Sequence, residues 1–167
     1  LLRRRGRVPG LRLRIGGSKT PADEVYVAGL LERLCAEGLA DAVEVYPNLD
    51  RDQKIAFLQS LTVLSVPPNY GESFGLYVIE AWAAGVPVAQ PNEAAFPELL
   101  DDSGAGVLWE PVGPEALADA VEPLLADPAL ARAMGARGRA RVLERFTVEH
   151  MARGCLEVFH QAREIQP

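Results

Sequence analysis

The chain has 167 residues, of which 49% are hydrophobic and 24% charged, and its formal net charge is −6. This length suits one domain of ordinary size, and the composition excludes a disordered, collagen-like or disulfide-stapled chain. No run approaches the roughly 20 apolar residues that a membrane-spanning helix needs, and we expect no signal peptide. Cys35 and Cys155 lie far apart, in no metal-binding or redox spacing. We therefore expect a cytoplasmic protein with two buried thiols.

Positive charge is concentrated at the start of the chain. Residues 1–14 contain six arginines and no acidic residue, which leaves the remainder strongly acidic. A basic terminus can bind phosphate or nucleic acid; the alternative is the solvated end of a helix followed by a strand with outward-facing arginines. Because the rest of the chain is acidic and has few aromatic residues, we expect no nucleic-acid partner.

The first part of the chain predicts strands that alternate with helices. A strand is predicted over 11–15, where apolar residues alternate with arginines. Apolar residues at helical spacing predict a helix over 22–37. A short strand at 43–46 is followed by Asp50, which can cap a helix that ends near residue 60.

The alternation continues through the rest of the sequence. Apolar residues followed by two prolines predict a buried strand over 61–66. The later elements are a helix over about 75–84 stopped by Gly85, strands over 86–89 and 106–108, and three helices from Pro114 onward that are broken near 127–128 and 146–147. Strands that alternate with helices in this way predict an α/β fold with a Rossmann-like parallel sheet wound by helices.

Ligands bind open parallel sheets beyond the carboxyl ends of the strands. The loops expected at that edge are 16–20, 46–50, 67–74 and 90–96. The third is the most informative, because the segment from Asn69 to Gly75 joins a buried strand to a helix. Its glycines, Gly71 and Gly75, let backbone amides approach a ligand, and the helix start adds partial positive charge. This turn can hold a phosphate or a negative leaving group without a metal ion.

Glu80 is the only charged residue between Ser73 and Asn92. At helical spacing it shares a face with Leu76 and Ala83. A carboxylate on an otherwise apolar helix has to reach water, a partner or a ligand, and a carboxylate that accepts two hydroxyl protons commonly binds a ribose diol. The alternative is that Glu80 points outward while Trp82 packs inward.

Glu72 is a second carboxylate, placed in the turn where a reacting group would lie. Its alternative is a turn acid that interacts with the helix dipole, worth a few tenths of a kcal/mol. The sequence has no Ser-His-Asp or Cys-His set and no paired histidines, so we expect no metal site. The Gly16-Gly17 turn lacks the third glycine of a dinucleotide fingerprint, which argues against hydride transfer.

Residues 72–88, ESFGLYVIEAWAAGVPV, resemble the E-x7-E signature of the retaining group 1 (family 4) glycosyltransferases, which have the two-domain GT-B fold. Further segments look like the same family: residues 61–67, 96–99 and 146–149. The resemblance implies a transfer of sugar from a nucleotide donor with retention at the anomeric carbon, with no metal or other cofactor. It also implies that the leaving diphosphate helps to deprotonate the acceptor.

The resemblance assigns roles by position. It implies that Glu72 is catalytic and holds the hydroxyls of the transferred sugar, and that Glu80 holds the ribose. The turn residues would contact the donor's sugar and diphosphate: Gly71, Ser73, Phe74, Gly75 and Leu76. A less specific match to the base-contacting region of the family covers Asn48, Leu49 and Lys54.

The family normally opens this domain with a strand and loop that carry an Arg and a Lys, and this sequence begins in the helix after that point. We therefore expect residues 1–167 to be the donor-binding domain alone, without its acceptor-binding amino-terminal domain and catalytically inactive by itself. The missing strand would lie between the strands at 11–15 and 61–66. The acceptor is unknown, and because many relatives act on lipid acceptors, membrane contact through the absent domain stays open.

Other classes of protein stay open beside this one. A nucleotide-sugar epimerase relative would lack the E-x7-E motif, and a glycogen phosphorylase relative would need a lysine for pyridoxal phosphate. A non-catalytic α/β interaction module, in which Glu72 and Glu80 are both solvated, is the alternative from a different functional class.

Overall fold

The computed structural model describes residues 1–68, 70–100 and 102–164, with only the backbone of residue 164. The chain divides into two compact units, one over Leu1–Leu61 and one from Thr62 onward, called unit 1 and unit 2 below. Within the described residues, each unit contains a parallel sheet with helices. The α/β fold with parallel strands is therefore confirmed.

Unit 1 is built on two parallel strands. Its helices and strands are α1 (Leu2–Arg5), β1 (Leu13–Gly17), a 3-10 helix (Pro21–Asp23), α2 (Glu24–Ala36), a second 3-10 helix (Ala40–Ala42), β2 (Val43–Pro47) and α3 (Arg51–Gln59). Strands β1 and β2 pair in register from Leu13 opposite Val43 to Gly17 opposite Pro47. The predicted elements of this part are all present, with boundaries that differ by one or two residues.

Helix α3 closes over the carboxyl ends of these strands. Asp50 caps it as expected, because its side chain accepts a hydrogen bond from the Gln53 amide at 2.8 Å and the Gln53 side chain accepts from the Asp50 amide in return. The Phe57 ring of α3 lies so close to Gly16 that a Cβ atom there would come within 2.9 Å of it. The same ring packs at 5.4 Å from the Tyr46 ring. Glycine at 16 thus lets α3 approach the sheet.

Unit 2 contains the larger core. Its elements are α4 (Leu76–Ala83), β3 (Val88–Pro91), α5 (Phe96–Leu100), β4 (Gly106–Trp109), α6 (Pro114–Ala126), α7 (Pro128–Arg145) and α8 (Val148–Glu164). Strands β3 and β4 are parallel, with Val88 opposite Gly106, and Leu64 adds a parallel bridge to Val88 on the other side. The three predicted carboxy-terminal helices, with breaks at 127–128 and 146–147, are confirmed.

Helices α4 and α7 pack closely because two glycines of α7 face α4. A Cβ on Gly138 would lie 2.5–3.1 Å from atoms of Trp82, and one on Gly135 would overlap the carbonyl oxygen of Gly85. Trp82 is fully buried, and its indole Nε1 donates a hydrogen bond to the Ala105 carbonyl at 2.9 Å. These contacts fix α4, which carries the candidate site, on the core of unit 2.

The segment 61–66 differs from its prediction as a strand. Only Leu64 forms a bridge, in which its amide donates to the Pro87 carbonyl and its carbonyl accepts from the Ala89 amide. The pairing with β3 does not continue beyond Leu64, because the Val66 amide donates to the side-chain oxygen of Gln90 at 3.3 Å and not to a backbone carbonyl.

Two expectations about single residues are wrong. Cys35 and Cys155 are exposed rather than buried, because α2 and the described part of α8 contribute no buried side chain. Among the described helices, none has the length and apolar content to cross a membrane.

Candidate functional site

The turn between the segment 61–66 and α4 presents an open helix terminus. Gly75 adopts a left-handed conformation with φ of 85°, and α4 begins at Leu76. No described side chain caps this terminus. The first backbone amides of a helix have no partner within the helix, and together with the helix dipole they favour a bound anion. The described part of the turn can therefore accept a negatively charged group; Asn69 lies outside the described residues.

Glu72 is held in a fixed orientation within this turn. One carboxylate oxygen accepts a hydrogen bond from the Phe74 amide at 3.3 Å, and the other accepts from the Tyr77 hydroxyl at 3.2 Å. Its backbone carbonyl accepts from the Ala95 amide at 3.2 Å, which ties the turn to the loop after β3. Two of the loops expected at the carboxyl ends of the strands, 67–74 and 90–96, thus meet at Glu72.

Tyr77 acts as a hydrogen-bond donor in this arrangement. Burial and the neighbouring Glu72 carboxylate raise the pKa of the Tyr77 hydroxyl well above its ordinary value, because both disfavour the phenolate. The Tyr77 ring packs 6.4 Å from the buried Phe96 ring, which fixes its position on the first turn of α4. The hydroxyl therefore keeps its proton and points it at Glu72.

Glu80 lies one helical turn further along α4. At 100° per residue it falls on the side opposite the buried Val78 and Trp82, and its side chain is half-buried. Trp82 packs inward, as one alternative predicted. The position of Glu80 on the side opposite the buried residues also agrees with that alternative, although its side chain is half-buried and not fully exposed.

The apolar residues of the turn are only partly covered. Phe74 is 43% exposed and packs edge-on to Phe146 with ring centroids 6.3 Å apart, and Leu76 is 68% exposed. Ser73 and Gly71 are exposed as well. Side chains and backbone of this turn are thus accessible to a ligand.

The three predicted base-contacting residues lie in unit 1. Asn48 has a left-handed conformation with φ of 53°, and its side-chain amide forms two 2.8 Å hydrogen bonds with the backbone amide and carbonyl of Lys19. The backbone amide of Asn48 also donates to the Gly17 carbonyl. These bonds join the loops 16–20 and 46–50. Leu49 is half-buried and Lys54 is exposed on α3.

The structure thus brings the predicted residues together as two groups, one in each unit. Gly71 through Leu76 form a single turn in unit 2 with Glu80 on the following helix, and the residues over 48–54 form the second group. Tyr77 and Ala95, which both donate hydrogen bonds to Glu72, were not among the predicted site residues. The available signal was the hydroxyl of Tyr77, a polar side-chain group among the apolar residues of the first turn of α4. In the described part of the chain, no three His, Cys, Asp or Glu side chains gather as metal ligands.

Comparison with known proteins identifies the family. The model of the family "Glycosyl transferases group 1" matches residues 1–141. The D-inositol 3-phosphate glycosyltransferase of Streptomyces avermitilis is 36% identical over 135 residues, which are 80% of this chain and 29% of that protein. The MMP alpha-(1->4)-mannosyltransferase of Mycolicibacterium hassiacum is 32% identical over 136 residues, which are 80% of this chain and 33% of that protein. The chain therefore spans about a third of the length of these curated relatives.

Solved structures show the same fold. Sucrose-phosphate synthase from Thermosynechococcus elongatus aligns with a TM-score of 0.80 and 30% identity, over 93% of this chain and 39% of that chain. Anabaena HepE in complex with UDP aligns with a TM-score of 0.80 and 20% identity, over 92% of this chain and 42% of that chain. The chain belongs to the group 1 glycosyl transferase family, and its fold is that of the carboxy-terminal domain of a GT-B glycosyltransferase.

Proposed function

We propose that this chain binds a nucleotide-diphosphate sugar as the donor half of a retaining, metal-independent glycosyltransferase. The observation that supports this most directly is the turn before α4, where an uncapped helix terminus stands beside a carboxylate held by two hydrogen bonds. A donor of this class carries a negative diphosphate next to a sugar rich in hydroxyls. The turn offers amide donors for the first and a hydrogen-bond acceptor for the second.

The diphosphate would bind at the amino-terminus of α4. Its negative charge matches the partial positive charge of the free helical amides, and the exposed Gly71 leaves the backbone open to close approach. Gly75 is buried, and its contribution is the left-handed conformation from which α4 begins. During transfer the diphosphate becomes the leaving group and gains negative charge. Stabilising that charge with preoriented amides is the main contribution that this part of the protein would make to catalysis.

The two glutamates would hold the sugars of the donor. Glu72 would accept hydrogen bonds from the hydroxyls of the transferred sugar and so act as the catalytic carboxylate. Glu80 would accept them from the ribose, as a partly buried carboxylate on an apolar helix is suited to do. In unit 1, Asn48, Leu49 and Lys54 would contact the base.

Retention would follow from chemistry on one face of the sugar. The departing diphosphate would help to remove the proton of the acceptor hydroxyl, and the new bond would form on the face that the diphosphate leaves. Structures of HepE contain UDP and UDP-glucose, which makes a uridine nucleotide the first donor to test. The acceptor would bind to an amino-terminal domain outside residues 1–167, so this chain alone would be inactive.

Isothermal titration of UDP, GDP and ADP into the full-length protein, with a chelator present, tests the proposal. We expect one of the three to bind without a divalent metal, and Glu80→Ala to weaken it by about 1–3 kcal/mol, the range for loss of a charged hydrogen-bond partner. Glu157→Gln, which alters an exposed carboxylate of α8, is the control and should bind normally. Absence of binding by all three nucleotides would favour the non-catalytic interaction module.

A further inference from the structure

Tyr77 occupies a position from which it can control the candidate catalytic carboxylate. Its hydroxyl donates to one oxygen of Glu72 at 3.2 Å, and its ring is fixed against the fully buried Phe96. The side chain has only two rotatable bonds, and the contact with Phe96 restricts them. The hydroxyl is thus held by the core of unit 2 rather than by the turn that contains Glu72.

Glu72 would be poorly oriented without this contact. Its second donor, the Phe74 amide, lies only two residues away in the same turn and therefore moves with it. The Ala95 amide anchors the backbone of Glu72 but does not reach its carboxylate. Of the donors to the carboxylate that the described residues supply, the Tyr77 hydroxyl is the one that belongs to a regular helix.

Both donors to the Glu72 carboxylate are neutral. A carboxylate has about four lone-pair sites, so two hydrogen bonds leave roughly two for a ligand. A neutral donor also orients the carboxylate without cancelling its charge, as an Arg or Lys partner would. The charge then stays available to sugar hydroxyls, which donate hydrogen bonds more strongly to a charged acceptor.

We propose that Tyr77 is a positioning residue of the donor site, whose hydroxyl holds the Glu72 carboxylate in the orientation that binds the transferred sugar. This inference rests on the proposed function, since it assigns Glu72 to the sugar. It predicts an effect confined to the sugar part of the donor. The diphosphate and nucleoside would bind through the helix terminus and other residues, whereas the Tyr77 hydroxyl donates its hydrogen bond to Glu72.

The test compares nucleotides with and without the sugar in the full-length protein. We would titrate UDP, GDP and ADP and the corresponding nucleotide-glucose donors into the wild type, Tyr77→Phe, Glu72→Gln and the double variant. Tyr77→Phe should leave the Kd of the nucleotide within twofold and raise that of the nucleotide sugar about fivefold to tenfold, the scale of one hydrogen bond. In the double variant, Tyr77→Phe should add less than twofold to the effect of Glu72→Gln, because its target is already altered.

Each outcome has a separate meaning. Equal affinity of Tyr77→Phe and the wild type for the nucleotide sugar would overturn the positioning role while leaving the proposed function intact. A full additional effect of Tyr77→Phe in the double variant would also overturn it, since Tyr77 would then act independently of Glu72. If the wild type binds none of the three nucleotides, both proposals are overturned. Tyr26→Phe, which removes an exposed hydroxyl in unit 1, is the matched control and should bind both ligands normally.

Discussion

Gly75 and Gly71, the two glycines of the turn before α4, should respond differently to the same substitution. Gly75 has φ of 85°, a conformation that costs an L-residue roughly 1–2 kcal/mol. A Cβ there would also lie 3.2 Å from the ring of Phe96, which is fully buried and has little room to move. Adding this contact to the backbone strain, we expect Gly75→Ala to lower the free energy of unfolding of unit 2 by about 1–3 kcal/mol.

Gly71 is the matched comparison in the same turn. Its φ is outside the left-handed region, and a Cβ there would meet no described atom within 4 Å. Gly71→Ala should therefore change stability by less than about 0.5 kcal/mol. If the diphosphate approaches this backbone, the added methyl group should still weaken nucleotide binding about tenfold or more, which corresponds to ~1.4 kcal/mol.

Intrinsic fluorescence suits the measurement of stability, because the two tryptophans of the chain, Trp82 and Trp109, are both buried in unit 2. Urea unfolding of the 167-residue chain would give the stability change, and calorimetric titration of the full-length protein would give the affinity change. If Gly75→Ala unfolds at the same urea concentration as the wild type, the expected backbone strain and contact with Phe96 are refuted. Unchanged nucleotide affinity of Gly71→Ala would refute close approach of the ligand at that position.

Three further predictions concern packing, pH and the loops of unit 1. Gly138→Ala should destabilise the chain by about 1–3 kcal/mol in urea unfolding, because its methyl group would displace the buried indole of Trp82. Gly154→Ala is the control and should not destabilise the chain, since a Cβ there would meet no described atom within 4 Å. Because the pKa of Tyr77 is raised in the folded state, the folded chain keeps a proton that the unfolded chain loses above about pH 10. The free energy of unfolding should therefore fall as pH rises above about 10, and this fall should be less steep in Tyr77→Phe. Asn48→Ala removes the two hydrogen bonds that join the loops 16–20 and 46–50. The free energy of local opening in unit 1 should fall by about 1–2 kcal/mol, and amide hydrogen exchange there should become faster.

Elements stabilised by neighbouring residues could be predicted from the sequence. Helix α3 begins after Asp50 because that side chain and Gln53 cap each other, an interaction within four residues. Helix α4 ends before Gly85, which has φ of 80° and so terminates the helix as expected. Such signals depend on the local sequence alone, and the structure places these boundaries within one residue of the prediction.

Elements that depend on distant partners could not be predicted in the same way. The apolar segment 61–66 has the composition of a buried strand, yet it forms one bridge, at Leu64. The Val66 amide donates to the side chain of Gln90, 24 residues later, instead of to a neighbouring strand. Composition indicates whether a segment suits a strand, whereas pairing depends on which backbone groups the rest of the fold brings beside it.

The candidate site combines both kinds of information. The E-x7-E pattern pointed to Glu72, Glu80 and Gly75, but it contained no information on what holds the carboxylate of Glu72. Tyr77 reaches it only because α4 turns the hydroxyl back toward the preceding turn, and Ala95 reaches its carbonyl only because the loop after β3 lies alongside. The pattern therefore predicts which residues are present at the site, and the fold determines their orientation.

Chains that share the E-x7-E pattern can differ in the residues that orient the first glutamate. Orientation of a binding group before the ligand arrives lowers the entropic cost of binding, so the donors to Glu72 affect affinity even when they never touch the ligand. A chain with the same two glutamates but an aliphatic residue in place of Tyr77 would keep the charge of the carboxylate and lose the donor that is fixed by the helix. Its Glu72 would sample more orientations, and its affinity for the sugar should fall while its affinity for the nucleotide stays the same. The glutamates thus indicate the family, whereas residue 77 would govern how firmly Glu72, the carboxylate proposed to bind the sugar, is held.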